Sequence, residues 1–220
     1  MEGAVPTRAA AMLFALKAMV HRTVRSWQDA INGDVRRWPQ SSRSQNDQVW
    51  GEAISPLYLA EHEDQRQLVL GKVENLRVAV RAFNGIEVPA NGTFSFWAQL
   101  GRPIARRGFV PGRELREGCI IPTIGGGLCQ MSNALYQAAL EAGLEIVERR
   151  GHSQVIDGSA AQAGRDATVF WNYVDLRFRS ARGMRIEAVM DGEQLRVRIL
   201  KAEARAVQRK PLMIVKAATR

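Results

Sequence analysis

Two segments in the first third of the chain place apolar residues at a helical period. Leu13, Leu16, Val20, Val24, Trp27 and Ile31 recur at steps of three and four, a spacing that gathers them on one face of a helix of about six turns. Arg8, Lys17, Arg22 and Arg25 decorate the same segment. Such a helix either packs its stripe on the body of the protein or lies as a basic amphipathic helix on an anionic membrane surface. From Trp38 to Gln48 the pattern lapses into a run of Pro, Gln, Ser, Arg and Asn. That run has too little apolar surface to order itself and reads as a linker. A second stripe, Val69, Val73, Leu76, Val80 and Phe83, predicts a helix from about Gln65 to Phe83. Asn84-Gly85 follows, with glycine as the left-handed residue just past the helix end.

Beyond Gly85 short apolar pieces alternate with Gly, Pro and Asn, as in Ile86-Glu87-Val88-Pro89 and Asn91-Gly92-Thr93-Phe94-Ser95-Phe96-Trp97. Leu144–Arg149 and Thr168–Phe178 read as strands, the latter with Val169, Trp171, Tyr173 and Asp175 on one side. Met184–Met190 and Gln194–Leu200, joined through Asp191-Gly192, read as a hairpin. Leu128, Met131, Leu135, Ala138 and Ala139 mark a further helix that Gly143 ends. The fold class is therefore α+β. A helical region over residues 1–84, with its polar linker near 38–48, precedes a mixed domain over 85–200, in which the glycine-led helix packs on a mainly antiparallel sheet. A basic tail over 201–220 completes the chain.

The 220 residues carry a net charge of +9 and a pI near 10.3, which brings nucleic acid, acidic phospholipid and anionic cell-wall precursors into view as partners. Nucleic acid lacks a reading helix, an RNP motif or a zinc finger to support it. Cys119 and Cys129 are the two cysteines, too few for a disulfide scaffold and without a CxxC pair for zinc. No apolar run approaches the roughly 18 residues of a membrane span. Lys17 interrupts the segment that most resembles a signal peptide, and no A-x-A site follows it. The expectation is an unprocessed chain in a reduced, cytoplasmic setting, peripheral to a membrane if the first helix lies on one.

The most informative stretch is Ile124-Gly125-Gly126-Gly127-Leu128-Cys129-Gln130. Three glycines before a helix are entropically costly unless the backbone needs positive φ or a close approach. They place Cys129 in the first helical turn, where unpaired N–H groups and the helix dipole lower a thiol pKa and can hold a developing oxyanion. A thiolate nucleophile needs a base. His152 is the sole histidine of the α+β domain, since His21 and His62 precede it. The order Cys then His is that of papain-like and transglutaminase-like enzymes. Asp166 or Asp175 could orient the imidazole, although Asp175 could instead pair with Arg177. Gln130 and backbone N–H groups are the oxyanion donors. Gly125, Gly126, Gly127, Ser132, Trp97 and Trp171 are candidate substrate contacts. The plainer alternatives are a buried, inert Cys129 and a hydrogen-bonded structural His152. The glycines could also cradle a phosphate or carboxylate, but GxxxxGK[ST] is absent and a nucleotide is not expected. Neither a metal nor a cofactor is expected.

The blocks Asn91–Trp97, Leu100-Gly101-Arg102-Pro103, Gly108-Phe109, Gly125–Gln130 with Ser132-Asn133 and Leu135-Tyr136, Val147-Glu148-Arg149 with His152-Ser153, Asp166–Val169 and Asn172–Arg179 together resemble the VanW family. The resemblance covers about Asn75 to Arg179. It implies cell-envelope or glycopeptide-resistance biology without naming a reaction. Members of that family often carry a second histidine just before the one matching His152. Here Arg150 and Gly151 stand in that place, so a two-histidine mechanism is not expected. Two functions follow: a Cys–His acyl-transfer or amide-hydrolysing enzyme, or a binding module that holds a cell-wall peptide or glycan against Phe94, Phe96, Trp97, Trp171 and Tyr173.

Overall fold

A computed structural model describes residues 8–32, 35–41, 48–58, 65–116, 119–152 and 164–202. The order of elements is α1 (Arg8–Asn32), β1 (Val49–Pro56), α2 (Arg66–Phe83), β2 (Ile86–Val88), β3 (Thr93–Ser95), α3 (Phe96–Leu100), β4 (Pro111–Arg116), β5 (Cys119–Ile124), α4 (Leu128–Glu141), β6 (Glu145–Glu148), β7 (Arg177–Arg179), β8 (Met184–Asp191) and β9 (Gln194–Lys201). The chain is α+β, with three antiparallel sheets of order β1-β9-β8-β2, β3-β7-β6 and β4-β5.

Helices α2 and α4 supply the sheet cover. The α2 stripe Val69, Val73, Leu76 and Phe83 is buried, and its chain turns off at Gly85 with φ +81°. On α4, Leu128, Met131, Leu135, Ala138 and Ala139 are buried against β1 and β9. Phe94 of β3 stacks on Phe178 of β7 with centroids 4.5 Å apart, and Phe83 meets Phe96 at 4.9 Å. Residues from Trp38 to Ile199 join this one core. Residues on both sides of position 84 contribute to it, and strand β1 stands before α2. Strand β1 pairs along β9 from Val49↔Leu200 to Pro56↔Gln194. The linker is docked at its start. Trp38 is buried, its ring N–H donates to the Thr93 carbonyl at 2.9 Å, and its amide donates to Gln99 Oε1. Residues 42–47 of that linker and 203–220 of the tail lie outside the described residues.

Two expectations about local structure need correction. Residues 168–176 do not run as a strand: a turn at 171–173 folds Phe170 back onto Val174, and β7 begins only at Arg177. The described part of the α1 apolar stripe does not pack on the body either, the Leu13 and Ile31 side chains lying outside the described residues. Leu16, Val20, Val24 and Trp27 face away from it, while Ala18, Arg22, Arg25 and Asp29 face toward it. The inward side is held by polar bonds, Arg22 Nε to the Trp171 carbonyl at 2.9 Å, Arg25 to Glu148, and Arg177 to both Asp29 oxygens at 2.8 and 2.9 Å.

Candidate functional site

The glycine turn is built by its own chain. Gly125 and Gly127 have φ +81° and +92°, values that disfavour any side chain. Gly126 sits so close to Gly112 that a Cβ would stand 2.2 Å from the Gly112 carbonyl oxygen. Asn75 of α2, fully buried, clamps the turn: its Nδ2 donates to the carbonyls of Gly126 (2.9 Å) and Val110 (3.0 Å), and its Oδ1 accepts from Val110 N. The amides of Gly125 and Gly126 donate to Val110 and Thr123 carbonyls. The turn thus sets where α4 starts, and its close approaches are to protein rather than to an open ligand cradle.

Cys129 projects from the first turn of α4, half-buried and free. Its Sγ lies 3.5 Å from Thr168 Oγ1 and 3.9 Å from the Val169 carbonyl oxygen. The facing segment is stitched to the same helix. Ser132 Oγ donates to the Ala167 carbonyl at 2.5 Å, and the Ala167 amide donates to Asn133 Oδ1 at 2.7 Å. Ser132 and Asn133 stand three and four residues beyond Cys129, on its face of the helix. That spacing was the available signal for Thr168, which sequence reasoning missed.

His152 follows β6 and reaches the same thiol. Its Nδ1 and its backbone N both lie 2.6 Å from Asp166 Oδ2, which ties down that ring nitrogen, and the ring is close enough to Cys129 for each to shift the other's titration. Arg149 braces the other side of the carboxylate, with a guanidinium N–H to Asp166 Oδ1 at 2.8 Å and Nε to the Asp166 carbonyl at 2.7 Å. The same guanidinium lies over the Tyr136 ring of α4. Arg149 was also missed, because a lone arginine at a strand end carries no pattern.

The charges follow from this geometry. Burial works to raise the Cys129 thiol, yet the hydrogen bond with His152, then those from the Val169 backbone and Thr168, outweigh it and bring the pKa below the ordinary 9.0. The His152 imidazole is raised from 6.5 to about 9, chiefly by its hydrogen bond with Cys129, against burial and with help from the sulfur charge and Asp166. Burial opposes the Asp166 charge, but the His152 amide and ring, with Arg149, hold that carboxyl below its usual range. The arrangement favours a thiolate beside an imidazolium. The amides of Leu128 and Cys129 precede the first intrahelical acceptor, so the turn presents donors beside the sulfur.

The other candidates stand elsewhere. Asp175 does not orient His152. It is 2% exposed and accepts from Ser95 Oγ (2.6 Å), the amides of Trp97 and Leu176, and Arg177 Nε (2.8 Å). Gln130 does not aim its amide at an oxyanion: Nε2 donates to Ser55 Oγ and the Pro56 carbonyl at 3.0 and 2.7 Å. Ser132 is buried and positional, and so is Gly126. Phe94, Phe96 and Trp97 belong to the core, the last donating its ring N–H to the Val174 carbonyl. The aromatic wall expected of a binding groove is therefore reduced to Trp171 and Tyr173, both partly exposed. Among the described residues no cluster of three or more His, Cys, Asp and Glu side chains converges as a metal site requires. Surface hollows beside Trp50 and Arg182, and beside Tyr58 and Leu70, do not border Cys129.

The chain is 34% identical over 106 residues to YoaR of Bacillus subtilis, covering 48% of this chain and 34% of that protein. It is 32% identical over 112 residues to the vancomycin B-type resistance protein VanW of Enterococcus faecalis, covering 50% and 41%. The matches thus span less than half the length of either relative. No solved structure matches the chain. A family model described as VanW like protein matches residues 71–200, more than half of the sequence and the whole of the Cys129 site. The chain belongs to the VanW-like protein family.

Proposed function

We propose that Cys129 is the nucleophile of an acyl-transfer or amide-hydrolysing site that acts on a peptide of the cell envelope. The observation that carries this reading is a largely buried thiol at a helix start, its titration lowered by an imidazole that a buried carboxylate holds. The thiolate attacks a substrate carbonyl carbon, forming the C–S bond and an oxyanion within reach of the first-turn amides. Collapse breaks the C–N bond as the His152 imidazolium gives its proton to the leaving amine. The thioester is then opened by water or an acceptor amine, whose proton returns to His152. Asp166 is a positioning residue that holds the ring through Nδ1. The envelope assignment is supported by the likeness to the vancomycin B-type resistance protein of Enterococcus faecalis.

Labelling of the full chain with iodoacetamide, followed by peptide mass spectrometry between pH 6 and 8, tests the reading. Cys129 is expected to react at least about tenfold faster than Cys119 at neutral pH, with the difference removed in His152→Ala. Labelling no faster than at Cys119 removes the nucleophile. Incubation with envelope peptides is expected to leave an acyl adduct on Cys129 that Cys129→Ala lacks.

A further inference from the structure

Helix α1 is turned inside out. Leu16, Val20, Val24 and Trp27 step by four, four and three, and so do Ala18, Arg22, Arg25 and Asp29 in the order four, three, four. Two residues advance a helix by about 200°, so the two stripes lie back to back. The charged stripe is the one bound to the body, through Trp171, Glu148 and Arg177. The apolar stripe, with Met19 beside it, faces out. Trp27 is 70% exposed and the other four are each at least half exposed. Five large apolar side chains on one surface helix exceed the scattered exposure that soluble surfaces carry and mark an interaction face.

We infer that this face binds an anionic lipid surface, with α1 lying in the plane of the headgroups. Charge selects the occupant. Arg22, Arg25 and Asp29 are spent on the body, which leaves the outward stripe with a cation and no carboxylate among its described residues, on a chain that is +9 as a whole. Lys17 is exposed on the helix, and Arg36 and Arg37 are exposed just beyond its end. Apolar residues flanked by cations, with a tryptophan near one end, suit the headgroup boundary. A second copy of α1 would instead set the exposed Lys17 of each helix on a face with no described carboxylate to meet it, because Asp29 is turned toward Arg177. No described helix is long and apolar enough to cross a membrane, so the contact is interfacial. It also fixes how the body hangs from the surface, because the inward stripe grips residues 171–177 next to the Cys129 segment.

The test is co-sedimentation of the full chain with vesicles of phosphatidylglycerol and phosphatidylcholine, against phosphatidylcholine alone. Wild type is expected to bind the anionic vesicles at least about tenfold more tightly than the neutral ones, and less tightly as salt rises. The fourfold variant L16S/V20S/V24S/W27S is expected to lose at least about tenfold in that binding. Its circular dichroism should be unchanged, because those side chains leave the body's packing alone. Lys17→Glu, which removes no apolar surface, is expected to weaken anionic binding several-fold with the fold intact. The inference is overturned if both variants bind as wild type does, if neutral vesicles bind equally well, or if wild type is a dimer that the fourfold variant dissolves.

Discussion

Replacing Cys129 by alanine should move a titration on a neighbouring residue. His152 is raised from 6.5 to about 9 in the folded chain, a preference for imidazolium that corresponds to about 3 kcal/mol. The hydrogen bond with Cys129 is its largest source and the sulfur charge adds to it, while burial opposes it. Cys129→Ala deletes both sulfur contributions and leaves only Asp166 holding the proton. The His152 pKa is expected to fall by at least about one unit, a tenfold loss of proton affinity. Proton NMR of the imidazole Cε1 resonances between pH 5 and 10 reads this, with His152→Gln assigning the signal. Stability carries the same signature. The histidine's contribution is complete below 6.5 and lost as pH rises through about 9; the thiol's is present above 9.0 and lost as pH falls through its depressed folded value. Within 6.5 to 9, at pH above the thiol's depressed folded value, the two slopes cancel into a plateau, because the folded ion pair and the unfolded neutral pair hold equal numbers of protons. Urea titrations should therefore find this plateau in wild type and a falling limb in Cys129→Ala. A wild-type His152 that titrates near 6.5, or one that Cys129→Ala leaves unmoved, refutes the thiolate–imidazolium pair.

Two further substitutions separate scaffold from chemistry. Asp175→Ala strips a buried carboxylate from Arg177, Ser95 and two amides, and should cost about 3–5 kcal/mol in urea unfolding; the surviving folded protein should label at Cys129 at the wild-type rate. Gly126→Ala would drive a methyl to 2.2 Å from the Gly112 carbonyl oxygen, an overpacking worth about 1–3 kcal/mol. Unchanged urea unfolding in that variant would mean that the turn yields without strain.

Much of this molecule is legible in its residues. Helices α2 and α4 and the β8–β9 hairpin follow from period and punctuation, since in each the apolar spacing, the cap or turn residue and the burial agree. Residue type and order alone single out Cys129 and His152 and leave two aspartates as candidates to orient the imidazole. The choice between Asp166 and Asp175 is not legible there. Both flank the same segment, and only the turn at 171–173 sends one carboxylate to the imidazole and the other into the core. Gln130 escapes for a related reason: its partner is the end of β1, about 75 residues away in sequence. Strand β1 itself shows no clean alternation, because its order comes from pairing with β9. The reversed packing of α1 is the deepest miss. Periodicity locates a stripe but says nothing about which side the rest of the molecule will take, and here a set of ion pairs took the opposite one.

A single oxygen, Asp166 Oδ2, bridges the amide and the ring of His152. That closes a small ring through the side chain, so the carboxylate that orients the imidazole is itself held by the same residue's main chain. The imidazole's rotamer entropy is surrendered once, when the protein folds. With Nδ1 tied down by that carboxylate, Nε2 is the ring nitrogen not engaged by Asp166.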